Sequence, residues 1–263
     1  MRKLRIYQVD AFTGRLFGGN PAAVVPLERW LDDATMQSIA LENNLAETAF
    51  FVPEADRFRL RWFTPEVEVK LCGHATLASA HVLFTILEPG RREVKFETLS
   101  GTLAVVAAGE RLVLDFPRWK LAPLADPPRG LADALHAAPT RVYSTGDGRD
   151  LFAVFEREAD VAALAPDFGA LRKLGVGVIA TAPGTRSDCV VRFFAPAFGI
   201  DEDPGTGSIH CALTPYWSER LGKRTVHSLQ ISKRGAELHC ELAGERVLIA
   251  GKAVKYLEGW IEV

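Results

Sequence analysis

Apolar positions along the chain group into segments of two kinds. "RWFTPEVEVKLCGHATLASAHVLF" (Arg61 to Phe84) opens on a short run ending at Phe-x-Pro, crosses an irregular polar stretch and closes on small and apolar residues behind a glycine. That order predicts a strand, a connection and a helix opened by a Gly-bearing turn. Within it, "ATLASAHVLF" holds no charge beyond what His81 can carry, and a helix apolar nearly all round is buried all round. "LDDATMQSIALENN" has the helical pattern, whereas "MRKLRIYQVDAF" is broken by Gln8 and Asp10 too early for a signal peptide and predicts a first strand. The last stretch, "VKYLEGWIEV", is strand-like and is expected to return to the first half.

The same pattern occurs twice. Arg61 to Phe84 lies without gaps on "RFFAPAFGIDEDPGTGSIHCALTP" (Arg192 to Pro215) at an offset of 131 residues, so that Phe63 meets Phe194 and Pro65 meets Pro196. Downstream, "SGTLAVVAAGERLVL" resembles "RGAELHCELAGERVLI"; upstream, "GNPAAVVPL" has a looser echo in "GRDLFAVFE". Between the halves lies the Pro-rich "FPRWKLAPLADPPRG". The expectation is an α+β protein of two pseudo-symmetric domains, residues 1–117 and 118–254, with 255–263 returning to the first. Each would be a curled sheet around its own central helix, the helices beginning after Gly73 and Gly205.

Composition narrows the function without naming it. With 263 residues, 48% hydrophobic and 24% charged, and a formal charge of −2, the chain has no basic excess for nucleic acid. No run approaches the roughly 18 apolar residues of a membrane span. Four cysteines without a repeated CxxC read as reduced thiols of a cytoplasmic protein.

Candidate chemistry gathers at the two equivalent turns, "CGHAT" and "DPGTGS". Pseudo-twofold domains tend to bind ligand in the cleft between them, and helix N-termini there would favour an anion. Glycines admit a ligand to the backbone, and Thr76, Thr206 and Ser208 add hydroxyls. "GTGS" lacks the lysine of a phosphate loop and "GRLFGGN" lacks GxGxxG spacing, so a small carboxylate is expected rather than a nucleotide. The repeat aligns Cys72 with Asp203, two ionisable groups at equivalent positions. Glu47, in the otherwise apolar "NLAETAFFVPE", is a third candidate for moving protons, and His74 could donate to a substrate oxygen. Plainer roles compete: Glu47 as partner of Asn43 or Asn44, Cys72 as a small core residue, Asp203 as a helix cap. Asp201 and Glu202 are expected to be solvated. Cys72 with His74, and His210 with Cys211, lack structural zinc spacing, so no metal is expected.

Taken together, "FTGRLFGGNPAAVV", "NNLAETAFF", "RWFTPEVEVKLCGHATLASAHVL" and "GIDEDPGTGSIHCALTPYW" resemble the phenazine-biosynthesis PhzF-like isomerase family, within the wider diaminopimelate-epimerase-like fold. The resemblance implies two β-barrels, each around a helix, a cofactor-free site between them, and a homodimer. It places the proton-shuttling glutamate on Glu47, the Gly-His histidine on His74, the second-domain aspartate on Asp203 and the serine on Ser208, with Asn20, Gly73 and Gly207 lining the carboxylate site. Epimerases of the wider fold use two cysteines. Here Asp203 stands opposite Cys72, which disfavours a two-thiol racemase. An amino or imino acid racemase pairing Cys72 with Asp203 or Glu47, and a non-catalytic carboxylate-binding protein, remain as alternatives.

Overall fold

The computed structural model describes residues 2–263. The chain divides into a first unit, running to Phe116 and resumed at Leu248–Val263, and a second unit, Pro117–Val247.

In the first unit, Lys3–Ala11 pairs antiparallel with Asn20–Pro26 on one side and with the C-terminal strand Ala253–Glu262 on the other. Asn20–Pro26 runs parallel to Glu47–Glu54, which is antiparallel to Arg57–Phe63. That strand is parallel to Glu93–Thr98, and Gly101–Ala108 follows antiparallel. Arg57–Phe63 shows why such segments are strands: Phe58, Leu60 and Trp62 are buried, while Arg57 and Arg59 face out and Arg61 is half-buried.

The second unit repeats these directions. Leu121–Pro123 and Arg141–Thr145 are antiparallel, as are Arg141–Thr145 and Asp150–Val154. Then come Gly177–Pro183 in parallel, Cys189–Ala195 antiparallel, Thr225–Gln230 parallel and Ala236–Ala243 antiparallel. Two units that share an alternation of strand directions as well as a sequence offset are one topology used twice. An ion pair is repeated with them. Arg61 grips Glu68 through two bonds of 2.7 Å, and Arg192 grips Glu202 through bonds of 2.7 and 2.8 Å. Each guanidinium also covers the ring two residues on, Phe63 at 5.1 Å and Phe194 at 4.8 Å. Glu202 is therefore a held, half-buried partner rather than a solvated one; Asp201, exposed and 3.5 Å from Arg172, fits the expectation.

The first central helix, Gly73–Val82, is buried at every position except His81 and continues as a π-helical turn, Leu83–Leu87. It packs on the strands containing Val9, Val24 and Phe50. The second, His210–Leu221, departs from the expected start after Gly205. Pro204–Ile209 is irregular, and bonds three residues apart, His210 to Gly207 and Cys211 to Ser208, wind the chain before the α-helix begins. The Thr206 N–H, which a helix starting earlier would leave to its own turn, is taken by Gln230 Oε1 at 2.7 Å. Pro215 sits inside this helix without stranding a carbonyl. The Cys211 oxygen, four residues back, accepts the Trp119 backbone N–H at 2.9 Å. All four cysteines are buried thiols. Among the described residues, no helix is long and apolar enough to cross a membrane.

Candidate functional site

Four of the residues marked in the sequence come together in the first unit. Glu47 opens its strand opposite Ala22, in parallel register with the strand that begins at Asn20. Gly73 and His74 start the central helix, with Cys72 as its cap residue. His74 Nε2 lies 3.1 Å from Glu47 Oε2, while His74 Nδ1 lies 3.1 Å from Asn20 Nδ2 and 3.5 Å from Cys72 Sγ. Asn43, the alternative partner for Glu47, bonds Thr48 instead, and Asn44 is the left-handed cap of the preceding helix.

Both atoms of the Glu47–His74 contact are sealed from solvent. They approach without the alignment of a hydrogen bond, so the contact is one of charge. The Glu47 side chain as a whole keeps 13% exposure. Burial works against charge on His74, but the neighbouring Cys72 and Glu47 outweigh it and hold the imidazole well above its ordinary 6.5. Burial, and then the charge of Glu47, push the Cys72 thiol up to about 11, so at neutral pH it is protonated and the partner that charges His74 is Glu47. An amide nitrogen only donates, so Asn20 in this orientation leaves the ring proton on Nε2, facing Glu47. Turning the amide over would present its oxygen to a protonated Nδ1, so Asn20 can hold the ring in either charge state. The ligand atoms of Glu47, Cys72 and His74 lie within 4.8 Å of one another, a set able to receive a metal ion. A metal would need the thiolate, which this burial opposes.

In the second unit Asp203 and Thr206 are buried together. The Thr206 hydroxyl donates to Asp203 Oδ2, and Gln230 closes the group by donating to the Asp203 carbonyl at 2.7 Å and to Thr206 Oγ1 at 3.2 Å. Gly207 and Ser208 lie in the turn that follows, their carbonyls accepting from His210 and Cys211. His210, fully buried, has both ring nitrogens engaged, Nδ1 with the Thr206 carbonyl and Nε2 with Ser228 Oγ, each at 2.9 Å. Burial pulls its pKa down to about 4, so it is a neutral structural imidazole. Gln230 and Ser228 were not marked in the sequence, although a signal was there. In the strand Thr225–Gln230 the inward positions are Val226, Ser228 and Gln230, and a polar residue on an inward position needs a partner.

The strand order and the helix held within each sheet define an α+β protein of the two-unit, diaminopimelate-epimerase-like kind. The profile of the phenazine biosynthesis-like proteins matches residues 9–259. The chain belongs to that family. It is 52% identical over 263 residues, 99% of both chains, to an uncharacterized isomerase of Pseudomonas aeruginosa. Among solved structures it is similar to a PhzF-family protein of Enterococcus faecalis, at 45% identity, full coverage of both chains and a TM-score of 0.95. A probable proline racemase of Agrobacterium radiobacter shares the fold, with a TM-score of 0.63 at 14% identity, covering 99% of this chain and 92% of that one.

Proposed function

We propose that the chain is a cofactor-independent isomerase that moves a proton from one carbon to another of a small carboxylate substrate. The observation that carries this is the enclosed Glu47–His74 contact at 3.1 Å, a carboxylate and an imidazole held at the start of a buried helix. Glu47 takes a proton from a carbon made acidic by conjugation, the electron pair of the broken C–H bond passes into the conjugated system, and Glu47 returns the proton at a second carbon. The substrate is neither oxidised nor reduced, so the step needs no redox partner. His74 balances charge on Glu47 and orients it, and Asn20 fixes the ring. Gly73, at the start of the buried helix beside His74, serves the substrate carboxylate. The relatives named as isomerases support the class of reaction. The protonated Cys72 speaks against a thiol-based racemase.

The test is mass spectrometry of small carboxylates, cyclohexadiene and amino acids among them, incubated in deuterated water with wild-type protein and with Glu47→Gln. Deuterium on carbon with the wild type, reduced by roughly 10²- to 10⁴-fold in the variant, is expected. Turnover by Glu47→Gln at the wild-type rate would overturn the assignment. Ligand binding indifferent to the substitution, without exchange in any compound, would make the chain a binding protein.

A further inference from the structure

A second set of metal-ligating side chains lies on the sheet of the second unit. His227 and His239 occupy directly opposed positions on the antiparallel strands Thr225–Gln230 and Ala236–Ala243. Their rings stack at 4.5 Å with planes 5° apart. Glu237 is two residues before His239, on the same face, because side chains alternate along a strand. Its Oε1 is 2.8 Å from His227 Nε2 and 3.4 Å from His239 Nε2, and the three ligand atoms lie within 4.8 Å of one another. The side chains are 30%, 31% and 55% exposed for His227, His239 and Glu237, so an ion can enter from solvent.

We propose that His227, Glu237 and His239 form a binding site for a divalent transition-metal ion. At nitrogen and oxygen bond lengths of about 2.1 Å, tetrahedral ligands stand roughly 3.4 Å apart. The Glu237–His239 separation already has that value, and small rotations of the rings supply the remainder. Two imidazoles and one carboxylate select zinc, nickel, cobalt or copper over calcium and magnesium, which prefer oxygen ligands alone. Binding takes the place of the hydrogen bond between His227 Nε2 and Glu237, with the proton of the neutral ring carried on Nδ1. The backbone under the site is fixed: the His227 N–H donates to Asp188 Oδ2 at 2.7 Å, the His227 carbonyl accepts the Asp188 N–H at 2.9 Å, and Lys223 holds the other Asp188 oxygen at 2.6 Å. His227 therefore projects from a strand that need not move to receive the ion, and the paired strand carries Glu237 and His239 opposite it.

The experiment is titration of the full-length protein with zinc by calorimetry and with cobalt by absorption spectroscopy, at pH 7.5, for wild type, His239→Ala and Glu237→Gln. One equivalent is expected, with affinity reduced roughly tenfold to hundredfold in either variant. The cobalt spectrum should have no thiolate charge-transfer band, since no cysteine belongs to the set. Circular dichroism that matches the wild type in at least one weakened variant separates lost ligation from lost folding. Absence of stoichiometric binding, affinity unchanged in both variants, or a thiolate band assigning the ion to Cys72 would each overturn the site.

Discussion

Replacing Asp150 by Asn should stabilise the protein at neutral pH and give no such gain in acid. Asp150 begins the strand Asp150–Val154, is 1% exposed, and its Oδ1 has no hydrogen-bond partner. Gly177, opposite in parallel register, makes room for it, because a Cβ there would overlap the carboxylate oxygen. Burial raises its pKa from 3.8 to about 6; Arg149 opposes this and Asp147 adds to it. A carboxyl that holds its proton more tightly when folded weakens the fold as pH rises. The unfolded chain ionises from about pH 4, the folded one near pH 6, and stability falls between the two. The gap corresponds to roughly 3 kcal/mol, fully present above pH 6 and absent below pH 4. Asn keeps the shape without the charge, at the cost of a buried amide lacking a partner, so a net gain of about 1 to 3 kcal/mol is expected at pH 7.5. At roughly 2 to 4 °C per kcal/mol for a chain of this size, Tm should rise by several degrees. Calorimetric scans of both proteins at pH 4, 5, 6 and 7.5 give the answer. A difference that is the same at pH 4 and at pH 7.5 would refute the desolvation argument, since an uncharged packing effect does not depend on pH.

Three further outcomes follow from the geometry. Gly19 has φ +60°, and a Cβ there would overlap the carbonyl oxygen of Ala11, so Gly19→Ala should cost about 2 kcal/mol or more by urea unfolding and displace the neighbouring Asn20. An unchanged midpoint would remove the steric reason for that glycine. Cys72, with its thiol near 11, should resist iodoacetamide at pH 7.5 in the native protein and react after unfolding, read by peptide mass spectrometry; rapid native labelling would mean that a thiolate is present. Glu202→Gln leaves the Arg192 guanidinium, 14% exposed, without its bidentate anion and should cost roughly 1 to 3 kcal/mol in the same unfolding assay.

The architecture was legible because it is written twice. An offset of 131 residues running through two strand ends and two buried helices fixes which segments correspond, and the strand directions follow it into the hydrogen-bonding pattern. The contact between Glu47 and His74 was not legible in the same way. It depends on parallel register between Asn20–Pro26 and Glu47–Glu54, a pairing of segments 25 residues apart at Ala22 and Glu47 that no local pattern encodes. The late start of the second helix was hidden because its cause, Gln230 taking the Thr206 N–H, lies 24 residues downstream. Glu202 was misread for a related reason. An acidic residue beside Asp201 and Asp203 looks solvated until the antiparallel return of Ile200–Asp203 brings it against Arg192.

The repeat also shows where the halves have parted, and this bears on the chemistry. The strand equivalent to Glu47–Glu54 is Gly177–Pro183, "GVIATAP", which contains no ionisable side chain. The position equivalent to His74 is Gly205, and the one equivalent to Cys72 is Asp203, whose carboxylate is occupied by the Thr206 hydroxyl. An imidazole does occur in the second unit's helix, but His210 is neutral, buried and bonded through both nitrogens. Inverting a carbon centre by deprotonation and reprotonation calls for an acid and a base on opposite faces of the substrate. Here one unit keeps a carboxylate and imidazole in contact, while the other has given its equivalent positions to holding its own turn in shape. That asymmetry favours a single carboxylate that removes a proton and returns it elsewhere on the same molecule, which is the reaction proposed for Glu47.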